Sequence, residues 1–153
     1  ISLNDRPYST EQACMAMPLN VSLLIVEDDP AVARAFGRVF HRRMCVHVAA
    51  GAADAICALE AREYDVILCD LLLLDGSGPD VQHWIRVNRP ELLTRLVFIT
   101  GSWPGVELVD TLRGHLTVLK PVDVDDLRRI VGSLAHRASV VRQRTMTPTP
   151  ARA

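Results

Sequence analysis

The sequence predicts an α/β fold: a doubly wound, five-stranded parallel sheet with helices on both faces. Three observations carry that prediction. Five short apolar runs, Leu23–Val26, Cys45–Ala49, Val66–Cys69, Leu96–Ile99 and Leu116–Leu119, read as strands buried on both sides. The stretches between them place apolar residues at helical spacing. Four of the five runs end in polar residues, at the strand ends where open parallel sheets build their sites.

Taken in order, the first strand ends in Glu27-Asp28-Asp29, and Pro30 suits the first turn of a helix. Val32, Phe36, Val39 and Phe40 continue that helix to about Arg43, and the two Phe side chains read as core. Asp29 reads as a helix-opening acid in preference to a metal ligand. After the second strand comes a helix over Ala52–Arg62, with Ile56 and Leu59 facing inward. The third strand ends at Asp70, and Asp75-Gly76-Ser77-Gly78-Pro79 has the chemistry of a loop. A helix over about Asp80–Val87 follows, with Pro79 fitting its first turn. The fourth strand ends at Thr100, and Gly101–Gly105 is a second loop, in which Trp103 reads as a half-buried packing residue. A short helix over Val106–Arg113 leads to the fifth strand, which ends at Lys120-Pro121. Asp123 is placed to cap the last helix, with Asp126 at the box position and Leu127, Ile130, Val131 and Leu134 at i, i+3, i+4 and i+7. Residues 1–20 read as a mostly irregular leader, 21–137 as one domain, and the Arg-, Thr- and Pro-rich stretch 138–153 as a disordered tail.

Composition narrows the function classes. A net charge of −1 and an aromatic content of 5% argue against a nucleic-acid-coating or membrane-surface protein. No apolar run approaches the ~18 residues of a membrane span, and no basic-then-apolar N-terminal pattern marks a signal peptide. The four Cys residues (14, 45, 57 and 69) and five His residues lack zinc-ligand spacing, and the thiols read as small core hydrophobes in a reducing, cytoplasmic setting. Arg137, Arg142 and Arg144 read as a solvated helix extension, since a few Arg residues give little phosphate affinity. All but one of the 17 basic residues are Arg, and the exception is Lys120. A compact ammonium suits a tight anionic site in a way a guanidinium does not.

The strand-end residues Glu27, Asp28, Asp70, Thr100 and Lys120 converge on one rim in this fold. Clustered carboxylates repel one another unless a cation sits among them. Oxygen ligands of this kind favour Mg²⁺, held by one or two carboxylates with waters and phosphate oxygens. A Lys beside that metal can bind a phosphoryl oxygen, a Thr hydroxyl can donate to another, and a carboxylate among them can act as nucleophile to form an aspartyl-phosphate.

The motifs Val26-Glu27-Asp28-Asp29-Pro30, Leu68-Cys69-Asp70-Leu71 with Asp75-Gly76-Ser77-Gly78, Phe98-Ile99-Thr100-Gly101 and Leu119-Lys120-Pro121 resemble, in order and spacing, those of response-regulator receiver domains of two-component signalling. The resemblance covers about residues 21–137. It implies a flavodoxin-like, chemotaxis-regulator-like sheet of order 2-1-3-4-5 and a phosphoacceptor at Asp70. It further implies metal ligation by Asp28, Asp70 and the Leu72 backbone carbonyl, with Glu27 acting through water. Thr100 matches the switch hydroxyl and Lys120 the phosphate-binding residue, whose bond to the following Pro is cis in the family. The implied cofactor is Mg²⁺. The implied partner is a histidine kinase or phosphotransfer protein, with pairing of two copies a further expectation, and no direct binding of nucleic acid or membrane. The chain reads as a stand-alone receiver or one cut from a larger regulator or hybrid kinase.

Three positions depart from the family pattern. Thr117 stands where the family has an aromatic residue that moves with the switch Thr. Leu74 replaces a common Pro, which removes a source of rigidity in the loop after Asp70, and Pro79 is unusual at its place. Two other readings remain open at this point. One is a receiver-like binding module without phosphorylation, which Thr117 keeps in view. The other is a small Mg²⁺ phosphatase of the haloacid-dehalogenase type, which would want an Asp where Leu72 stands.

Overall fold

The structure, a computed structural model of the chain, describes residues 21–102 and 105–146. The elements run β1 (Ser22–Val26), α1 (Pro30–Phe40), β2 (Cys45–Ala49), α2 (Ala52–Ala61), β3 (Val66–Asp70), β4 (Leu72–Leu73), β5 (Gly76–Ser77), α3 (Gly78–Asn88), a 3₁₀ turn (Pro90–Arg95), β6 (Leu96–Thr100), α4 (Val106–Leu112), β7 (Leu116–Leu119) and α5 (Val124–Met146). Five strands form one parallel sheet in the order β2-β1-β3-β6-β7, the predicted order once the small β4–β5 hairpin is set aside. That hairpin occupies part of the stretch expected to be loop.

Period-2 alternation within each apolar run explains the two-sided core. Leu23, Ile25, Val66, Leu68, Val97 and Ile99 pack with Phe40, Leu127 and Val131 of α1 and α5. Leu24, Val26, Ile67, Cys69 and Phe98 pack on the other face with Ala55 and Leu59 of α2 and Val81 and Ile85 of α3. The buried face of α2 is Ala52, Ala55 and Leu59, with Ile56 at its margin instead of pointing in.

Two helix starts were legible from single residues. Asp29 caps α1 by accepting from Ala31 N at 2.8 Å and Val32 N at 3.3 Å. Asp123 caps α5 by accepting from Asp125 N at 2.9 Å and Asp126 N at 3.0 Å. Asp126 pairs with Arg129 in the following turn.

Two expectations are corrected. Residues 138–146, expected to be disordered tail, continue α5 to Met146. Ala135 and Ala138 stay buried along the same stripe as Leu127 and Val131. One turn further on, Arg142 pairs with the buried carboxylate of Asp65, which also accepts from Ser22 N at 2.8 Å and Ser22 Oγ at 3.2 Å. A polar composition does not oppose helix where small residues face the sheet and an Arg meets a buried acid. Residues 1–20, 103–104 and 147–153, which include Trp103, the leader and the end of the expected tail, lie outside the described residues. The second correction concerns the thiols. Cys69 is buried and free and Cys57 is exposed and free, but Cys45 is disulfide-bonded. Cys45 opens the edge strand β2 half-buried.

The start of α3 is pressed against the end of β3. Gly78 N–H donates to Leu71 O at 3.0 Å. A Cβ at residue 78 would sit 2.7 Å from Asp70 O and 3.0 Å from both Leu71 Cα and Phe98 Cε1. Ser77 and Asp80 close this junction as a reciprocal capping box, with Ser77 N–H donating to Asp80 Oδ2 at 2.7 Å. Gly78→Ala therefore forces backbone apart at this closed junction. Urea unfolding should show a loss of about 1–3 kcal/mol, the range for over-packing a closed site.

His47 in β2 is held neutral by its surroundings. Burial lowers its pKa first, and the Arg62 guanidinium adds to the effect. Its Nδ1 meets Tyr64 Oη at 3.0 Å and its Nε2 meets Arg62 Nη1 at 3.1 Å, so Nε2 accepts and Nδ1 donates. His115, packed edge-to-face on Phe98, is likewise lowered, again mainly by burial. A His with a lowered folded pKa takes up its proton in the unfolded chain first, so stability is full above the ordinary imidazole value of 6.5 and falls as pH drops below it. Denaturation midpoints should decline from pH 7.5 to 5.5, and the decline should be shallower in His47→Gln.

Candidate functional site

β1, β3, β6 and β7 deliver Glu27–Asp28, Asp70, Thr100 and Lys120 to the carboxyl edge of the sheet. Parallel pairing in register sets this up, because Val26 lies opposite Cys69, Asp70 opposite Ile99 and Thr100 opposite Leu119. Each apolar run stops where its strand leaves the core, so each first polar residue emerges on one rim.

Lys120 is the centre of the arrangement. Its Nζ donates to Asp70 Oδ2 at 2.7 Å and to Glu27 Oε2 at 2.8 Å. Glu27 is 3% exposed and Asp70 8%, so both carboxylates face this ammonium in a nearly closed setting. Burial by itself would lower the Lys120 pKa, but its hydrogen bonds to Asp70 and Glu27 outweigh that and hold it above the ordinary value. Burial pushes the Glu27 carboxyl upward, and the nearby Asp70 charge adds to this, against the opposing pull of Lys120 and the Asp29 N–H. Lys120 also joins Pro121 through a cis peptide bond, as the resemblance implied.

Each of the three carboxylates also accepts one backbone N–H. Glu27 Oε1 accepts from Asp29 N at 3.1 Å, Asp70 Oδ1 from Leu72 N at 3.0 Å, and Asp28 Oδ2 from Leu74 N at 2.9 Å. Carboxylate oxygens of Glu27, Asp28 and Asp70 lie within 4.8 Å of one another, a set able to hold a metal ion. Three hard oxygen donors of this kind, with no thiol or imidazole among them, fit Mg²⁺. Cys69, the neighbour of Asp70, is no rival nucleophile. Burial drives its thiol pKa far upward and the Asp70 and Glu27 charges add to that.

Of the seven residues singled out from the sequence, Glu27, Asp28, Asp70 and Lys120 meet here, and Leu72, expected to offer its carbonyl, joins them through its N–H. Thr100 is buried at the end of β6, with its hydroxyl turned to Ser102 O at 2.9 Å instead of toward the carboxylates. Thr117 is not in the site. It lies half-buried in β7, opposite Phe98. Sequence reasoning missed the Leu74 N–H and the Ser102 carbonyl. Both are backbone groups, on which residue identity carries no signal.

Comparison with known proteins agrees with this geometry. The family model of the response regulator receiver domain matches residues 23–132. The acid tolerance regulatory protein ActR of Rhizobium meliloti (strain 1021) is 38% identical over 109 residues, covering 69% of this chain and 55% of that protein. The photosynthetic apparatus regulatory protein RegA of Rhodovulum sulfidophilum is 34% identical over 113 residues, covering 69% of this chain and 58% of that protein. The chain thus spans about half the length of these curated relatives. Among solved structures, the signal receiver domain of a putative LuxO repressor protein from Vibrio parahaemolyticus superposes with a TM-score of 0.73 at 26% identity, covering 85% of this chain and 100% of that one. Members of this family are signalling phosphoacceptors and not metabolic enzymes. On the strength of the match over residues 23–132, the chain belongs to the response regulator receiver domain family of two-component systems.

Proposed function

We propose that Asp70 accepts a phosphoryl group from a phosphohistidine on a partner kinase or phosphotransfer protein, in a Mg²⁺-dependent reaction. The observation that carries this reading is the Lys120 ammonium bound to both Asp70 and Glu27, with Asp28 in reach of the same point. A carboxylate oxygen of Asp70 attacks phosphorus, the P–N bond to the partner's imidazole breaks, and the electron pair returns to that ring. Glu27, Asp28, Asp70 and the Leu72 carbonyl are the residues that would hold Mg²⁺, with Glu27 acting through water. Bound there, the ion supplies positive charge to the transferring phosphoryl oxygens.

The chain's own residues do the rest. Lys120 offers a second cation to a phosphoryl oxygen without leaving the site. The backbone N–H groups of Leu72 and Leu74 orient Asp70 and Asp28 before anything binds. Thr100 leaves Ser102 O and donates to the phosphoryl group, and that exchange reshapes the segment after β6. A small side chain at Thr117 means the switch runs on this hydroxyl without an aromatic partner behind it. Cytoplasmic residence belongs to the same proposal, through the partner kinase. No helix among the described residues is long and apolar enough to cross a membrane.

Incubation with acetyl phosphate and Mg²⁺ should add one phosphoryl group, about 80 Da by intact mass, lost in Asp70→Asn and in EDTA. Thr100→Ala should still take the group. In that variant, amide exchange over residues 101–120 should no longer respond to beryllofluoride as it does in the unmodified chain. Failure of the unmodified chain to gain mass or to bind beryllofluoride would leave a binding module that does not phosphorylate.

A further inference from the structure

Helix α2 begins at Ala52 after Gly51 and has no capping side chain of its own. Its cap arrives from the loop that follows Asp70. Asp75, at the tip of the β4–β5 hairpin, accepts from Ala52 N at 2.9 Å through Oδ1 and from Ala53 N at 3.2 Å through Oδ2. Gly51 makes room for it, since a Cβ there would lie 2.3 Å from Asp75 Oδ1. These two N–H bonds also hold the Asp75 carboxyl below its ordinary value, so it stays an acceptor through the physiological range.

The same short loop carries two other tethers. Leu72 N–H is bound to Asp70 and Leu74 N–H to Asp28. The Leu74 side chain is 93% exposed and anchors nothing, and no Pro stiffens this position. The far end of the loop is closed by the Ser77–Asp80 box. Between the box and Asp70, Leu71 and Leu73 pack into the core, and Asp75 is the polar side chain that ties the tip of the loop to the start of α2.

We propose that Asp75 is a positioning residue for the phosphoacceptor site: by gripping the start of α2, it holds the Leu72 and Leu74 backbone against Asp70 and Asp28 and so sets Mg²⁺ affinity. This rests on the reading of the site given above. Asp75 touches neither metal nor phosphoryl group, and acts through the loop. Gly51 is part of the same device, because any larger residue displaces the carboxylate.

The test compares Asp75→Ala, Asp75→Asn and Gly51→Ala with Leu59→Ala, which destabilises the core under α2 and leaves the loop tethers in place. Mg²⁺ Kd is read by calorimetry, and amide exchange at Leu72 and Leu74 is read in the metal-free protein. Asp75→Ala and Gly51→Ala should weaken Mg²⁺ binding by about 3- to 10-fold and speed exchange at both amides, the scale of one or two lost hydrogen bonds. Asp75→Asn keeps an acceptor oxygen and should recover most of the affinity. Leu59→Ala should lower the melting temperature with Mg²⁺ Kd unchanged. If the Asp75 and Gly51 variants lose stability but bind Mg²⁺ as the unmodified chain does, Asp75 is a helix cap and the proposal fails. Should Asp75→Ala not fold, Asp75→Asn and Gly51→Ala decide the question by the same readings. Absence of a phosphoryl adduct in the unmodified chain would refute the phosphoacceptor reading, while the Mg²⁺ Kd comparison would still decide this one.

Discussion

A parallel sheet with both faces buried must bring its strand ends out on one edge, and here that edge gathers three carboxylates. The ammonium of Lys120 makes this tolerable. Two nearly buried carboxylates facing each other across β1 and β3 would otherwise repel, or neutralise themselves by taking up protons. Lys120, at the end of β7, reaches 2.7 Å and 2.8 Å to the pair and so ties the edge of the sheet to its centre. The other features of the site are arranged around that contact. One backbone N–H bonds each of the three carboxylates, and the Thr100 carbonyl holds the Lys120 N–H at 2.8 Å.

The result is a site whose charge favours a cation. The carboxylates of Glu27, Asp28 and Asp70 outnumber the single ammonium beside them, an imbalance that a divalent cation would relieve. The loop from β3 to α3 completes the enclosure. Leu71 and Leu73 anchor it in the core, Leu72 and Leu74 point outward at 60% and 93% exposure, and its outer backbone is held by hydrogen bonds to Asp70 and Asp28 and by those from the first turn of α2 to Asp75. Strength placed in hydrogen bonds at this rim, and in apolar packing below it, lets the rim rearrange while the sheet stays fixed.

Much of this was legible in the sequence, and for physical reasons. Strands buried on both faces write themselves as unbroken apolar runs, and Asp29 and Asp123 announce helix starts because a carboxylate before the first turn has one strong local use. The site residues were readable as first polar residues after those runs. What escaped were contacts between distant backbone and side-chain atoms. Asp75 looks like turn chemistry, and nothing local says that it caps a helix 23 residues earlier; the signal that existed was α2 starting at Ala52, after a Gly51 that has no side chain to cap it. The tail was misjudged for the converse reason. Residues 138–146 are polar in composition, yet Ala138 and Arg142 continue a helix because the sheet offers a surface and Asp65 offers a buried partner. Thr100 ends β6 at the same rim, but the direction of its hydroxyl, toward Ser102 O, is beyond reach of the sequence.

The most direct test of the central contact is the stability of Lys120→Met in EDTA and in Mg²⁺, measured by urea unfolding beside the unmodified chain. The Lys120 side chain is 25% exposed, so loss of the ammonium should cost about 1–3 kcal/mol in EDTA, less than for a fully enclosed pair. Saturating Mg²⁺ should return most of that loss, because a second cation then neutralises the same carboxylates. Equal stability of the two proteins in EDTA, or a deficit that Mg²⁺ leaves untouched, would contradict the account and show that Glu27 and Asp70 do not depend on Lys120 for their charge balance.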